Sequence, residues 1–221
     1  MTSPAGFDLR TVDDLLSTTR AVRRRLDLDR HVPMSVIEEC LALAVQAPTG
    51  NNLETWRWIV ILDVTTKERL GDLYRGDASP SAAASGLMSR LDDAKRSRLR
   101  TSTDYLMQNL QRVPILVVPC VEDVGGAAGW APSIYPAVWS FMLALRSRGL
   151  GSVMTTHHLH KRHEADRLLG VPDGFVQTCL IPVAYTLGTD FRSAPRRPVH
   201  EVAFRDHWGR PFGGPASRAS G

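Results

Sequence analysis

Cysteine is scarce in this chain, and the three it has, Cys40, Cys120 and Cys179, stand singly in apolar surroundings. No two are spaced as a zinc or dithiol motif, so buried, reduced thiols are expected rather than a disulfide framework or a redox pair. Long apolar runs are missing too: none approaches the ~20 residues needed to cross a bilayer, so no membrane span is expected. The N-terminus lacks a basic stretch followed by an apolar one, the mark of a secretory leader, and the default expectation is the cytoplasm. No Gly-x-Gly-x-x-Gly turn announces a doubly wound dinucleotide fold, and no Gly-x-Ser-x-Gly elbow a serine hydrolase. A zinc-protease pattern and internal repeats are likewise absent.

What is present suits an ordinary globular protein. The 221 residues are 43% hydrophobic and 23% charged, enough for one domain with a substantial core. We expect a single domain over residues 1–212 and a flexible tail at 213–221, where small and polar residues dominate. The net charge of +4 comes from 27 Lys and Arg against 23 Asp and Glu, with the excess in short clusters. Such clusters favour anionic ligands locally. Nucleic acid is disfavoured as a partner, because charge alone makes no sequence reader and the usual fold signatures are missing.

Helical spacing of Val12, Leu15 and Leu16 predicts a short amphipathic helix over 9–19 that leads into the arginines. Ser35 and Glu38 form a capping-box pattern for a second helix, which Pro48 and Gly50 stop. Residues 56–62 read as a core strand, and Thr65 with Glu68 caps a short helix towards Tyr74. The Ala, Ser and Gly of 76–86 suggest mobility, and 90–111 a long charged helix broken near Thr101. A buried strand is expected at 113–121, with Pro114 and Pro119 at its ends or on an edge. Next come a glycine-rich loop at 125–129, a central helix over 133–148 closed by Gly149, and a strand end at 151–156. A helix over 160–169 and a strand over 176–184 complete the pattern. Strands alternating with helices, without tandem βαβ units, favour an α+β fold.

Two segments far apart in sequence carry the chemistry. Arg20, Arg23 and Arg24 can neutralise a phosphate, since guanidinium forks match phosphate oxygens. If that backbone is extended, Arg20 and Arg24 share a face, and Arg23 and Arg25 point elsewhere. A solvated basic surface would explain the run equally well. The loop Pro48-Thr49-Gly50-Asn51-Asn52, with Trp56 behind it, offers donors and acceptors suited to a flat heterocycle, Asn52 above all. The same residue types also end helices and satisfy their own backbone. Together the two segments suggest a flavin site. Gly149 to Thr156 adds small residues that let backbone approach a ligand, though a helix cap feeding a strand accounts for its glycines. His157, His158, His160 and His163 form a dense cluster, but hydrogen-bonded surface histidines are favoured over metal ligands, and no metal is expected.

The order of these motifs resembles the nitroreductase superfamily of FMN-dependent oxidoreductases, from about Thr18 to Trp208. Thr19-Arg20-Ala21-Val22-Arg23-Arg24-Arg25 is similar to the family's Arg-Arg-Ser-Val-Arg segment, which binds the FMN phosphate. Ala21 or Val22 replaces its serine, and either Arg23 or Arg24 stands for its last arginine. Ala47 to Trp56 resembles the family's Ala-Pro-Ser-x-x-Asn-x-Gln-Pro-Trp loop, with Thr49 for Ser, Asn52 matching, and Glu54 and Thr55 departing from Gln-Pro. Gly149 to Ser152 resembles its Gly-Leu-Gly-Ser segment, and Arg196 its late phosphate-binding residue, with Arg197 as a neighbouring competitor.

The resemblance implies a nitroreductase-like α+β sandwich, a central mainly antiparallel sheet flanked by helices, and an intertwined homodimer with two shared FMN sites. NADH or NADPH would be the electron donor and a small aromatic molecule, a nitroaromatic or quinone, the acceptor, by a ping-pong route. It further implies cofactor binding by Arg20, Arg23, Arg24, Pro48, Thr49, Gly50, Asn52, Met154, Thr155, Thr156 and Arg196. Arg20, Arg24 and Arg196 would hold phosphate, Thr49 and Asn52 would reach the ring from the second subunit, and Thr155 or Thr156 would lie beside its redox edge. No catalytic acid or base is required, because the cofactor carries the chemistry. Trp130, Tyr135 and the 76–86 stretch are candidates for lining or covering the acceptor site. The rivals are a different flavin reaction on this fold, reductive dehalogenation or oxygen-dependent flavin destruction, or a flavin- or nucleic-acid-binding protein without catalysis.

Overall fold

The strand β2 (Ile115–Glu122) organises the computed structural model, which describes residues 4–76, 86 and 88–212. Mobility around 76–86 and the flexible tail concern 77–85, 87 and 213–221, outside the described residues. The chain divides into two compact units, Met1–Phe191 and Arg192–Gly221. All named strands belong to the first: β1 (Trp56–Ile61), β2, β3 (Leu150–Ser152), β4 (Phe175–Gln177) and β5 (Ile181–Tyr185). The strand order is β1-β2-β5-β3, β4 also pairs with β2, and every ladder is antiparallel.

Side chains alternate across a pleated strand, and in β2 both faces are apolar. Ile115, Val117 and Val121 join a core built with α2 (Met34–Ala44) and the long helix α5 (Ala127–Ser147), through Ile37, Cys40, Ile134, Val138 and Phe141. Leu116, Val118 and Cys120 join a second core with α3 (Val64–Arg75) and α4 (Asp93–Asn109), through Leu70, Tyr74, Leu106 and Leu110. Helices therefore cover both faces of an antiparallel sheet, the α+β sandwich expected. Among the described residues no helix is long and apolar enough to cross a membrane.

Local differences from expectation have local causes. Helix α2 starts at Met34 behind Pro33, so the Ser35–Glu38 box caps nothing. Asp63, not Thr65, caps α3, its carboxylate accepting from the Thr66 amide at 2.7 Å. Helix α4 runs unbroken through Thr101, whose hydroxyl donates to the Ser97 carbonyl one turn back at 3.0 Å, an arrangement the helix tolerates. Pro119 sits in mid-strand opposite Trp58. Its carbonyl accepts from the Thr178 amide and hydroxyl, so its nitrogen faces the gap at 178–180 between β4 and β5, where a ladder donor is not needed. That gap also splits the expected 176–184 strand in two. Helix α5 begins within the expected glycine-rich loop and carries Pro132 and Pro136; Gly149, at φ +77°, closes it as foreseen.

Two features anchor α3. The buried Lys67 ammonium donates to the Val113 and Pro114 carbonyls at 3.0 and 3.2 Å, and burial pushes its pKa down. Arg75, in the last turn, bonds Asp72 and Gln111.

Candidate functional site

The arginine segment follows α1 (Leu9–Thr18) and runs beside β3. Ala21 forms a parallel bridge with Ser152, and the Val22 amide donates to the Ser152 carbonyl at 2.9 Å while Val22 enters the core. Gly151 makes this approach possible: a Cβ there would lie 2.7 Å from the Thr186 methyl and 3.0 Å from Val22 Cβ. The fold thus joins the basic run to the glycine run, which lie about 130 positions apart in sequence. Beyond Val22 the backbone bends and turns over residues 23–25, so the strict alternation of four arginines does not hold. Arg25 is committed elsewhere, donating to the Leu187 carbonyl at 2.8 Å and Asp190 at 2.5 Å and lying over the Phe191 ring.

Arg20 and Arg23 are half-buried and Arg24 exposed, and none has a hydrogen-bond or ion-pair partner among the described residues. Burial lowers the pKa of Arg23, with Tyr74 opposing. The same arginine helps to depress His157, where burial is again the larger cause and His160 contributes. Arg23 is thus half-buried, with its charge felt at both Tyr74 and His157. Arg196 is exposed in the second unit.

The loop 48–52 contains a single 3-10 turn, Gly50–Asn52, with Asn51 and Asn52 at φ 54° and 58°. Asparagine tolerates this left-handed region better than most residues. The Gly50 amide donates to Ser133 Oγ on α5 at 2.9 Å, which ties the loop to the long helix. Pro48, Gly50 and Asn52 are exposed and Thr49 is half-buried. Neither asparagine side chain is spent on its own backbone: among the described residues both lack a partner. The loop feeds β1, and β1 and β3 are opposite ends of the strand order, so the sheet separates it from the arginines.

After β3 the chain passes Met154, Thr155 and Thr156. Met154 and Thr156 are exposed, and among the described residues nothing accepts from their amides. Thr155 is buried between them. Its amide donates to the Leu180 carbonyl at 3.0 Å, its carbonyl accepts from Leu180 at 2.7 Å, and its hydroxyl lies 2.7 Å from the Tyr74 hydroxyl. Of the two threonines proposed beside a ring, only Thr156 is open to one.

Trp130 and Tyr135, ring centroids 6.1 Å apart, line a cleft of about 380 Å³ with Asp123, Thr156, Arg162 and Thr178. This cleft brings the candidate acceptor-lining aromatics to Thr156. In the histidine cluster, His158 is fully buried, and among the described residues neither ring nitrogen has a hydrogen-bond partner. Burial pushes its pKa down to about 4, opposed by Gln177 and Asp166. Among the described residues no group of three or more His, Cys, Asp or Glu is placed to hold a metal ion. Ser133, which ties the 48–52 loop to α5, and Tyr74, which holds Thr155, had no motif to mark them.

The donors left open fit a flavin nucleotide: guanidinium groups without carboxylates for a phosphate, exposed amides and asparagine side chains for a ring edge. Comparison with known proteins bears on the same stretch. Mouse iodotyrosine deiodinase 1 is 27% identical over 180 residues, covering 78% of this chain and 61% of that protein; the chain thus matches about three-fifths of that relative's length. A structure of oxidized iodotyrosine deiodinase bound to FMN and 3-iodo-L-tyrosine superposes with a TM-score of 0.66 at 22% identity, over 89% of this chain and 98% of that one. A variant of the FMN- and NADPH-dependent nitroreductase NfnB from sphigopyxis sp. strain HMH gives 0.69 at 19% identity, over 88% and 98%. The model of the Nitroreductase family matches residues 16–185, from the end of α1 to the end of β5 and across both chemical segments, and the chain belongs to that family.

Proposed function

We propose that this protein is an FMN-dependent oxidoreductase that uses NADH or NADPH to reduce small aromatic acceptors such as nitroaromatics and quinones. The observation that carries the reading is the pairing of residues 21–22 with β3, which joins arginines that have no partner among the described residues to the segment with the open amides of Met154 and Thr156. Bound FMN would supply the redox chemistry, taking up hydride from the donor and passing it to the acceptor. The protein's part is binding and orientation. Arg20 and Arg23, the motif's arginines in this register, hold the phosphate, with Arg24 as their exposed neighbour. Val22, buried, occupies the apolar position of the arginine motif, which leaves Ala21 in place of its serine. Met154 and Thr156 face the ring, and Trp130 and Tyr135 line the acceptor cleft.

Thr49 and Asn52, with the backbone of Pro48 and Gly50, serve the ring of a second copy. Leu16 on α1, Leu43 on α2 and Trp139 on α5 are 50%, 50% and 40% exposed, and α1 and α2 both pack on α5. A second copy covering these residues would form the homodimer, and sedimentation velocity at micromolar concentration should give twice the 24.4 kDa chain mass. The central test is a visible spectrum of the purified protein before and after anaerobic addition of each nicotinamide. Bound flavin that bleaches with one donor and recovers with a nitroaromatic or quinone supports the reading. A colourless protein that takes up no added FMN refutes it.

The similarity to iodotyrosine deiodinases favours a second reading, reductive dehalogenation of an aromatic substrate. Iodide release from 3-iodo-L-tyrosine by the reduced protein, without turnover of nitroaromatics, would select it.

A further inference from the structure

Thr155 is the single buried residue between two exposed ones, and it is gripped from both sides. Its backbone exchanges two hydrogen bonds with Leu180, and its hydroxyl meets that of Tyr74 at 2.7 Å. Tyr74 comes from α3, far away in sequence, and is 1% exposed. Its ring lies 5.1 Å from that of His157, the residue after Thr156, and Arg23 is close enough to perturb both. Lys67 and Arg75 in turn fasten α3 to the elements around it. One phenol thus bonds the segment with open amides, packs on His157 and feels the charge of Arg23.

Resting on the FMN reading, we infer that Tyr74 is a positioning residue: its hydroxyl holds Thr155 so that the Met154 and Thr156 amides stay presented to the ring. The Leu180 bridge fixes where Thr155 sits along its neighbour. The Tyr74 bond fixes the direction in which its side chain points, and therefore the directions in which residues 154 and 156 face. Groups so supported meet a ligand without reordering, whereas an unsupported segment must be ordered when it binds. Burial holds the Tyr74 pKa above its ordinary value, so the phenol stays protonated and the bond persists across the physiological range.

The test is FMN titration of the full chain by quenching of flavin fluorescence, with the visible spectrum of the bound flavin recorded for each variant. Tyr74→Phe and the isosteric Thr155→Val should each raise Kd roughly three- to tenfold, the range set by one hydrogen bond. The double variant should lose no more than either single one, because all three lack the same bond. Thr155→Ser keeps the hydroxyl and should restore both the affinity and the spectrum. Tyr74→Phe removes one oxygen from a packed ring, so it keeps the test open if Thr155→Val does not fold. Wild-type affinity and spectrum in Tyr74→Phe, or losses that multiply in the double variant, would overturn the inference while FMN binding by the wild type stands. A wild type that binds no FMN would remove the reading beneath it.

Discussion

A single methyl group at Gly151 should disturb the site more than its size suggests. In Gly151→Ala the new Cβ meets the Thr186 methyl at 2.7 Å and Val22 Cβ at 3.0 Å, both well inside normal contact. Leu150 and Val153 alongside are buried, so β3 has little room to retreat. Overpacking of this kind costs about 1–3 kcal/mol, which for a chain of this size lowers Tm by roughly 2–12 °C. The cheapest relief is to move the 20–24 segment off β3, which weakens the Val22–Ser152 bond and displaces the arginines. Loss of one charge-assisted phosphate contact, worth about 1.5–3 kcal/mol, would raise the Kd for FMN more than tenfold. Calorimetry and fluorescence titration on the same preparation read the two effects separately. Adding Thr186→Ser removes the methyl at 2.7 Å and should recover part of both. If Gly151→Ala alone melts and binds FMN like the wild type, the claim that this glycine couples the two segments is wrong.

His158 should leave a signature in acid. Its folded-state pKa of about 4 lies below the unfolded value of about 6.5, so between these pH values the unfolded chain binds more protons and stability rises with pH. That contribution, about 3 kcal/mol at most, is complete above pH 6.5 and is lost as pH falls towards 4; urea midpoints should show a flatter rise over this window in His158→Leu than in wild type. Asn52→Gly preserves the left-handed backbone and removes a partnerless side chain, so it should weaken FMN binding with little change in Tm; wild-type affinity would detach Asn52 from the site. Burial pushes Cys120 and Cys179 up to about 12 and raises Cys40 as well. All three should therefore resist Ellman's reagent in the native protein and react on addition of denaturant, and a fast native phase would contradict this packing.

The fold was largely legible because apolar content and periodicity are one-dimensional signals. The unbroken apolar content of 113–121 and the helical spacing of Val138, Phe141, Met142 and Leu145 carry their structure with them. Positions whose role is set by a distant partner were harder to read. Pro119 looked like an edge residue because sequence does not show the gap at 178–180 that it faces. The Ser35–Glu38 and Thr65–Glu68 patterns lost to Pro33 and Asp63, which sit nearer to where packing starts each helix. For the candidate site, the arginines and asparagines could be proposed by chemical type. Tyr74 and the difference between Thr155 and Thr156 could not, since only the fold decides which threonine meets a buried phenol.

The prolines of α5 bear on the cleft next to them. Pro132 and Pro136 cannot donate, so the carbonyls of Ala128 and Pro132 lack their i+4 partners, and the helix opens at Gly126, φ +68°. The turns that bear Trp130 and Tyr135 are therefore stitched to the rest of the helix by fewer rungs than the buried half around Phe141. Opening them costs less than opening the buried half of the helix, because fewer hydrogen bonds must break. If the cleft takes an aromatic acceptor as proposed, a wall of that kind would fit guests of more than one outline while the sheet behind it keeps its shape.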